Sequence, residues 1–231
     1  MRNRHSPPLP PAGAPVPGHA MVAEEFRMIK RPLLKKLRDG DGARCNLIAV
    51  TSATHGEGRS FCALNLALSM AVERDTTVLL VDAHMAAPSL PAMLGLPDGP
   101  GMMELLMDDG LNAADVIIRS SLPSLSVLPA GKAHHHAAEM LASRDMERLL
   151  TELASRYADR VILFDTAPLL VTTQASVLAA QMGQVVLVVD AETTTHAALA
   201  EALRHLEPCP HIHLVYNKAR VKPAPPVYGA R

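Results

Sequence analysis

Ala53-Thr54-His55-Gly56-Glu57-Gly58-Arg59-Ser60 is the stretch that decides the fold. Ahead of it runs the apolar Leu47-Ile48-Ala49-Val50, and behind it Phe61, Leu64, Leu68 and Val72 recur at helical spacing. The local reading is strand, glycine loop, helix. In such a loop glycines let successive backbone N–H groups turn toward one anion, and the helix that follows adds the positive end of its dipole. A serine opening that helix can place its hydroxyl on Mg²⁺, and Ser60 stands there. Residues 56–60 therefore read as a phosphate cradle, with Ala53, His55 and Phe61 as flanking nucleotide-binding candidates. The usual pattern ends Gly-Lys-Ser or Gly-Lys-Thr, whereas this chain has Gly58-Arg59-Ser60. Arginine keeps the charge but presents a planar fork in place of a compact ammonium.

Beyond the loop, Thr76 to Asp82 is β-branched and continuously apolar before it ends in an acid, as expected of a parallel strand covered on both faces. Arg160 to Asp165 and Val185 to Asp190 repeat that pattern, and Leu125–Leu128 and Ile212–Asn217 add two more strands. Leu149, Leu150, Leu153 and Tyr157 mark one helical face, and Leu199, Ala202, Leu203 and Leu206 another. Residues 86–123 read as short helices and loops broken by Pro and Gly, with Glu104, Asp108 and Asp109 on a solvated face. Strands alternating with helices imply an α/β fold with a doubly wound, mainly parallel sheet. Ligands in such sheets sit at the carboxyl ends of the strands, where the glycine loop, Asp82 and Asp165 all fall.

Those residues match what phosphoryl transfer from a nucleotide requires: a cradle, a divalent ion and a group that orients the attacking oxygen. Ser60 and a strand-end carboxylate supply hard oxygens for Mg²⁺. Asp165 is the metal-side candidate, Asp82 the base or a second metal ligand, and Arg59 the catalytic charge. Taken singly, each aspartate could equally be a cap or a loop-closing residue.

The 231 residues suffice for one domain with tails. Residues 1–20 form a proline-rich lead, 21–218 the domain and 219–231 a tail. Within the domain, Phe26, Ile29, Leu33 and Leu37 describe an amphipathic helix, broken or restarted at Pro32. A net charge of -1, three Phe, three Tyr and no Trp give no surface suited to nucleic acid. Cys45, Cys62 and Cys209 suit buried thiols in a reducing compartment, hence the cytoplasm. The sequence lacks both a signal-peptide core and the roughly 20-residue apolar run of a transmembrane helix, so any work at a membrane needs a partner. Lys218, Arg220 and Lys222 read as a solvated tail, and His134-His135-His136 lacks the separated spacing of a structural metal site.

The chain resembles the bacterial tyrosine kinases, P-loop proteins of capsule and exopolysaccharide assembly, and within them the exosortase-associated autokinase branch. The residues that carry the resemblance are Glu24-Glu25-Phe26-Arg27-Met28-Ile29-Lys30-Arg31-Pro32-Leu33-Leu34, Gly56-Glu57-Gly58, Val78 to Ala83, Leu128-Pro129-Ala130-Gly131, Asp165-Thr166-Ala167-Pro168 and Asn217-Lys218. The resemblance implies a P-loop NTPase fold of the MinD/ParA type and an ATP- and Mg²⁺-dependent kinase that phosphorylates its own tail. It implies a homo-oligomeric ring built in part by Glu25 and Arg27, and places Asn217 near the adenine base. It also implies recruitment to the inner face of the membrane by the cytoplasmic tail of a polysaccharide chain-length regulator.

Three departures bear on activity. Arg59 replaces the loop lysine. Where the family has Asp-x-Asp followed by an arginine, this chain reads Asp82-Ala83-His84-Met85-Ala86, and His84 brings no hard oxygen. After Asn217 the one tyrosine is Tyr228, the candidate phosphoacceptor. The expectation is weakened transfer; the alternatives are an inactive nucleotide-binding regulator or scaffold, or a MinD/ParA-like ATPase.

Overall fold

The computed structural model describes residues 17–40, 44–108, 110–156 and 160–220. A helix begins at Pro17, so the last four residues of the lead expected over 1–20 are helical, proline being tolerated at a helix start; the expectations for residues 1–16, for Asp109, for Tyr157 and for residues 221–231 with Tyr228 lie outside the described residues. In chain order the elements are α1 (Pro17–Asp39), β1 (Leu47–Ser52), α2 (Arg59–Ala71), β2 (Thr77–Asp82), α3 (Leu90–Leu94), α4 (Met102–Met107), α5 (Ala113–Val116) and β3 (Ile118–Arg119). There follow β4 (Leu125–Leu128), α6 (Ala137–Leu141), α7 (Arg144–Arg156), β5 (Arg160–Asp165), α8 (Thr173–Ala179), β6 (Gln184–Asp190), α9 (His196–His205) and β7 (Ile212–Asn217).

The strands form one sheet in the order β3-β4-β2-β5-β1-β6-β7, parallel except for β3, which runs antiparallel to β4. Alternate side chains face opposite layers. Ile48, Val50, Leu80, Leu163 and Val188 pack toward α1 and α2. Leu47, Leu79, Phe164 and Leu187 pack toward the helices of the other side. Strands buried on both faces explain the unbroken apolar runs in the sequence, and each such side chain contributes about 1.5–3 kcal/mol relative to exposure. The register sets Val50 and Asp82 both opposite Asp165, so the loop entry and two acids reach the same height on the sheet.

Helix α1 runs unbroken through Pro32, contrary to the expected break. Proline removes one N–H and crowds the carbonyl a turn earlier. Here that flaw faces solvent, because Met28 and Pro32 are exposed while Phe26, Leu33 and Leu34 are buried on the opposite stripe. Packing on α2 keeps the helix intact. Lys30 strengthens the seam, its Nζ donating to Ser69 O (2.5 Å) and pairing with Glu73 (2.6 Å). Gln184 Nε2 donates to Leu33 O (3.2 Å) and Cys45 O (2.7 Å), which ties α1 to the sheet.

The short α8 and the two-residue β3 were not anticipated from the sequence. None of the three cysteines is in a disulfide and all are buried, and burial pushes the Cys62 thiol up to about 12 and that of Cys209 to about 11. Among the described residues no helix is long and apolar enough to cross a membrane.

Candidate nucleotide site

From Ser52 the chain leaves β1 and turns through residues 53–58 into α2. Gly56 (φ +81°) and Gly58 (φ +90°) take left-handed conformations that favour glycine and turn the backbone from β1 into α2. Gly58 is also required sterically: a Cβ there would lie 2.1 Å from Asn217 Nδ2. That amide donates to Glu57 O (2.8 Å), while Lys218 Nζ donates to Gly56 O (2.6 Å) and to Asp190 Oδ2 (2.9 Å). Glu57 is buried, its carboxylate accepting from the Thr54 N–H (3.0 Å) and from the Thr194 hydroxyl. The ends of β6 and β7 thus brace the loop. The Lys218 bond, followed by the Glu192 N–H, holds the Asp190 carboxyl down at about 2.

Arg59 does not project freely into the cradle. Its guanidinium is buried, with Nη2 2.8 Å from His84 Nδ1 and Nε 3.3 Å from Asp165 Oδ1. An arginine can only donate, so Nδ1 of His84 is the acceptor and a neutral ring carries its proton on Nε2. Burial, then the charges of Arg59 and His55, push His84 down to about 4, which keeps it neutral near pH 7. Arg59 Nε and Asp165 Oδ1 form an ion pair without hydrogen-bond alignment, and both are buried polar atoms lacking a hydrogen-bond partner.

Asp82 is fully buried and accepts from three backbone N–H groups, His84 (3.1 Å), Ser89 (3.0 Å) and Leu90 (3.0 Å). Burial pushes its carboxyl up to about 6, against the pull of the Leu90 N–H and with the charge of Asp165 adding to the rise. Burial also raises Asp165, opposed first by Arg59 and then by Ser60 and Ser89. Ser89 Oγ lies 3.1 Å from Ser60 Oγ and donates to Asp165 Oδ2 at 3.3 Å.

The structure therefore brings together Arg59, Ser60, Asp82, His84 and Asp165, and sets Asn217 beneath the loop. Ala53 is buried at the loop entry and His55 is exposed on it. The Phe61 ring goes elsewhere, packing edge-on against Phe26 at 6.1 Å. Glu25 and Arg27 lie on the exposed side of α1, Arg27 paired with Glu24 at 2.7 Å.

Two solvated-face readings are corrected. Glu104 accepts from the Gly101 N–H (2.7 Å) and the Lys132 N–H (3.1 Å), and Lys218 braces the loop rather than trailing in solvent. The rings of His134 and His135 stack and that of His136 is tilted against both, and among the described residues no three His, Cys, Asp or Glu side chains group to hold a metal. Sequence reasoning missed Ser89 and Thr194, which carry no motif, and left Asp190 unused although it ends a strand as Asp82 and Asp165 do.

These residues fit a nucleotide and a divalent ion. A glycine loop leading into the first turn of α2 suits an anion, and Ser60 with Asp165 offers hard oxygens, one of them a buried acceptor lacking a hydrogen bond. Asp82 fits a metal less well, because both of its oxygens already close a backbone loop.

A family model described as ParA, NUBPL iron-transfer P-loop NTPase, matches residues 44–197. The tyrosine-protein kinase YwqD of Bacillus subtilis is 30% identical over 162 residues, 70% of this chain and 67% of YwqD. The chain belongs to the bacterial tyrosine-protein kinase family. EpsB of Ralstonia nicotianae is 31% identical to this family member over 184 residues, 80% of this chain and 24% of EpsB. Among solved structures, the chimerical protein CapA2B2 superimposes with a TM-score of 0.71 at 27% identity, covering 83% of each chain. The kinase-family chain thus spans about a quarter of EpsB and two thirds of YwqD.

Proposed function

We propose that this chain is the ATP- and Mg²⁺-binding domain of a protein-tyrosine autokinase that regulates exopolysaccharide polymerisation or export, with transfer weakened at Arg59. The observation that carries the reading is the convergence of the left-handed glycine loop with Ser60, Asp165 and Arg59 at the carboxyl ends of β1 and β5. Mg²⁺, when bound, supplies charge neutralisation of the phosphate oxygens. Ser60 and Asp165 would hold it, and the backbone of residues 56–60 would hold the phosphates. Asp82 fixes the 84–90 loop, and to serve as base for a tyrosine hydroxyl its buried carboxyl, raised to about 6, would first have to give up one of the backbone N–H bonds it accepts.

Arg59 is the weak part. To reach a phosphate it must leave His84 and Asp165, and breaking a buried charged pair costs free energy that a freely projecting lysine would not face. This favours, as second reading, a regulator that binds nucleotide without transferring it. The wider setting rests on the sequence resemblance: a cytoplasmic homo-oligomer with Glu25 and Arg27 at its contacts, Tyr228 as acceptor, Asn217 near the base, and a membrane chain-length regulator as partner.

Calorimetric titration with ATP–Mg²⁺ and anti-phosphotyrosine detection test both readings on the full chain. Binding with phosphotyrosine supports the kinase, and binding without it the regulator. No binding overturns both, leaving a nucleotide-free scaffold.

A further inference from the structure

Ser89 stands at the N-cap of α3, yet its hydroxyl makes no capping bond. A serine there ordinarily accepts from the first-turn N–H groups. Here Asp82 accepts from Ser89 N and Leu90 N instead, and the Ser89 hydroxyl is released into the site. A hydroxyl has one proton to give. With Asp165 as acceptor, Ser89 donates to Oδ2 and receives from Ser60, which makes a directed chain from Ser60 through Ser89 to Asp165. Ser60 sits at the first turn of α2 and Asp165 at the end of β5, two elements that the Arg59–Asp165 ion pair also links, at the other carboxylate oxygen.

We propose that Ser89 is a positioning residue for divalent-metal capture, holding Ser60 Oγ and Asp165 Oδ2 at a common separation so that both oxygens meet one ion. The inference rests on the nucleotide–Mg²⁺ reading above and adds a residue that the glycine-loop pattern does not contain. The role is sharpened by the neighbourhood: His84 brings no oxygen and Asp82 is spent on backbone, so Ser60 and Asp165 are left as the ion's protein ligands. Ser89 acts through those two.

Ser89→Ala removes the hydroxyl and retains the N–H that Asp82 needs. The test is ATP affinity of the full chain by calorimetry, once in Mg²⁺ and once in EDTA, with Ser89→Thr as the conservative variant. The expected result is at least about a tenfold loss of affinity for S89A in Mg²⁺, the scale of removing a partner that orients a metal ligand. Affinity in EDTA should not change, and S89T should recover most of the loss. A merely structural serine would lower both affinities together, and that result, or S89A binding as wild type does in Mg²⁺, overturns the proposal alone. A wild-type chain that binds no ATP, or whose binding ignores Mg²⁺, overturns the functional reading and this inference with it. If S89A melts well below wild type, Ser89→Cys, the same in connectivity and a weak hydrogen-bonding group, carries the same comparison with the same expected outcomes.

Discussion

Arg59 donates from Nη2 to Nδ1 of His84 at 2.8 Å, across 25 residues of sequence. Two of the positions at which this chain departs from the pattern it resembles are therefore one contact. A lysine would lack the second nitrogen that reaches the ring, and an aspartate at 84 would turn a neutral acceptor into a third buried acid beside Asp82 and Asp165.

Coupling between the two follows. Arg59→Lys alone should destabilise the fold by about 1–3 kcal/mol, because the His84 acceptor is left buried and unpaired. His84→Asp alone should cost a similar amount through acid repulsion. The double variant should cost less than the sum by at least about 0.5 kcal/mol, measured by denaturant unfolding in a double-mutant cycle. The same double variant should raise phosphotyrosine yield above wild type, and additive costs with unchanged yield would contradict the linkage.

The pH response should separate two buried groups of opposite sign. His84 has its pKa lowered from 6.5 to about 4, so its share of stability is present above 6.5 and is lost as pH falls toward 4. Asp82 has its pKa raised from 3.8 to about 6, so its share is present below 3.8 and is lost as pH rises through 6. In wild type the slopes oppose one another. His84→Asn retains an acceptor for Arg59 and removes the first slope, and its unfolding free energy should gain on wild type by roughly 2 kcal/mol between pH 6.5 and 4. Asp82→Asn should show the reverse trend, and two parallel profiles would refute the assignment.

Gly58→Ala should be disruptive out of proportion to one methyl group. The left-handed φ costs about 1–2 kcal/mol for a residue with a Cβ, and the 2.1 Å approach forces Asn217 off the Glu57 carbonyl. Adding Asn217→Ala should recover the steric part and leave the backbone part. Thermal unfolding of the single and double variants measures the split.

Lys218→Met should loosen the loop without unfolding the sheet. With the cation gone, the Asp190 carboxyl should titrate above its value of about 2, which a carbon-detected NMR titration follows directly. ATP affinity should fall several-fold while Tm moves little. An Asp190 titration that does not shift would mean that Lys218 is not its partner in solution.

Much of this arrangement was legible in the residue order. Buried strands announce themselves by unbroken apolar runs such as Val78–Val81, and left-handed turns by glycines such as Gly56 and Gly58, so the sheet and the loop could be placed. Pro32 misled, because its penalty depends on which side of α1 meets solvent, and the packing of Leu33 and Leu34 outweighs it. The α8 segment is too short and too rich in alanine to show a period, and β3 holds two residues. Contacts of long sequence separation were out of reach: no spacing rule links Arg59 to His84, Ser60 to Ser89, or Thr194 to Glu57.

The brace from Asn217 to Glu57 spans 160 residues of chain. During synthesis the glycine loop emerges early, and until β7 has left the ribosome and docked beside β6 it has Thr194 and its own internal bonds to brace it. Cellular ATP is abundant throughout that interval, but a nascent fragment ending short of β7 lacks the side chains that set the loop's curvature. The shape of the glycine loop thus depends on one of the later strands of the sheet.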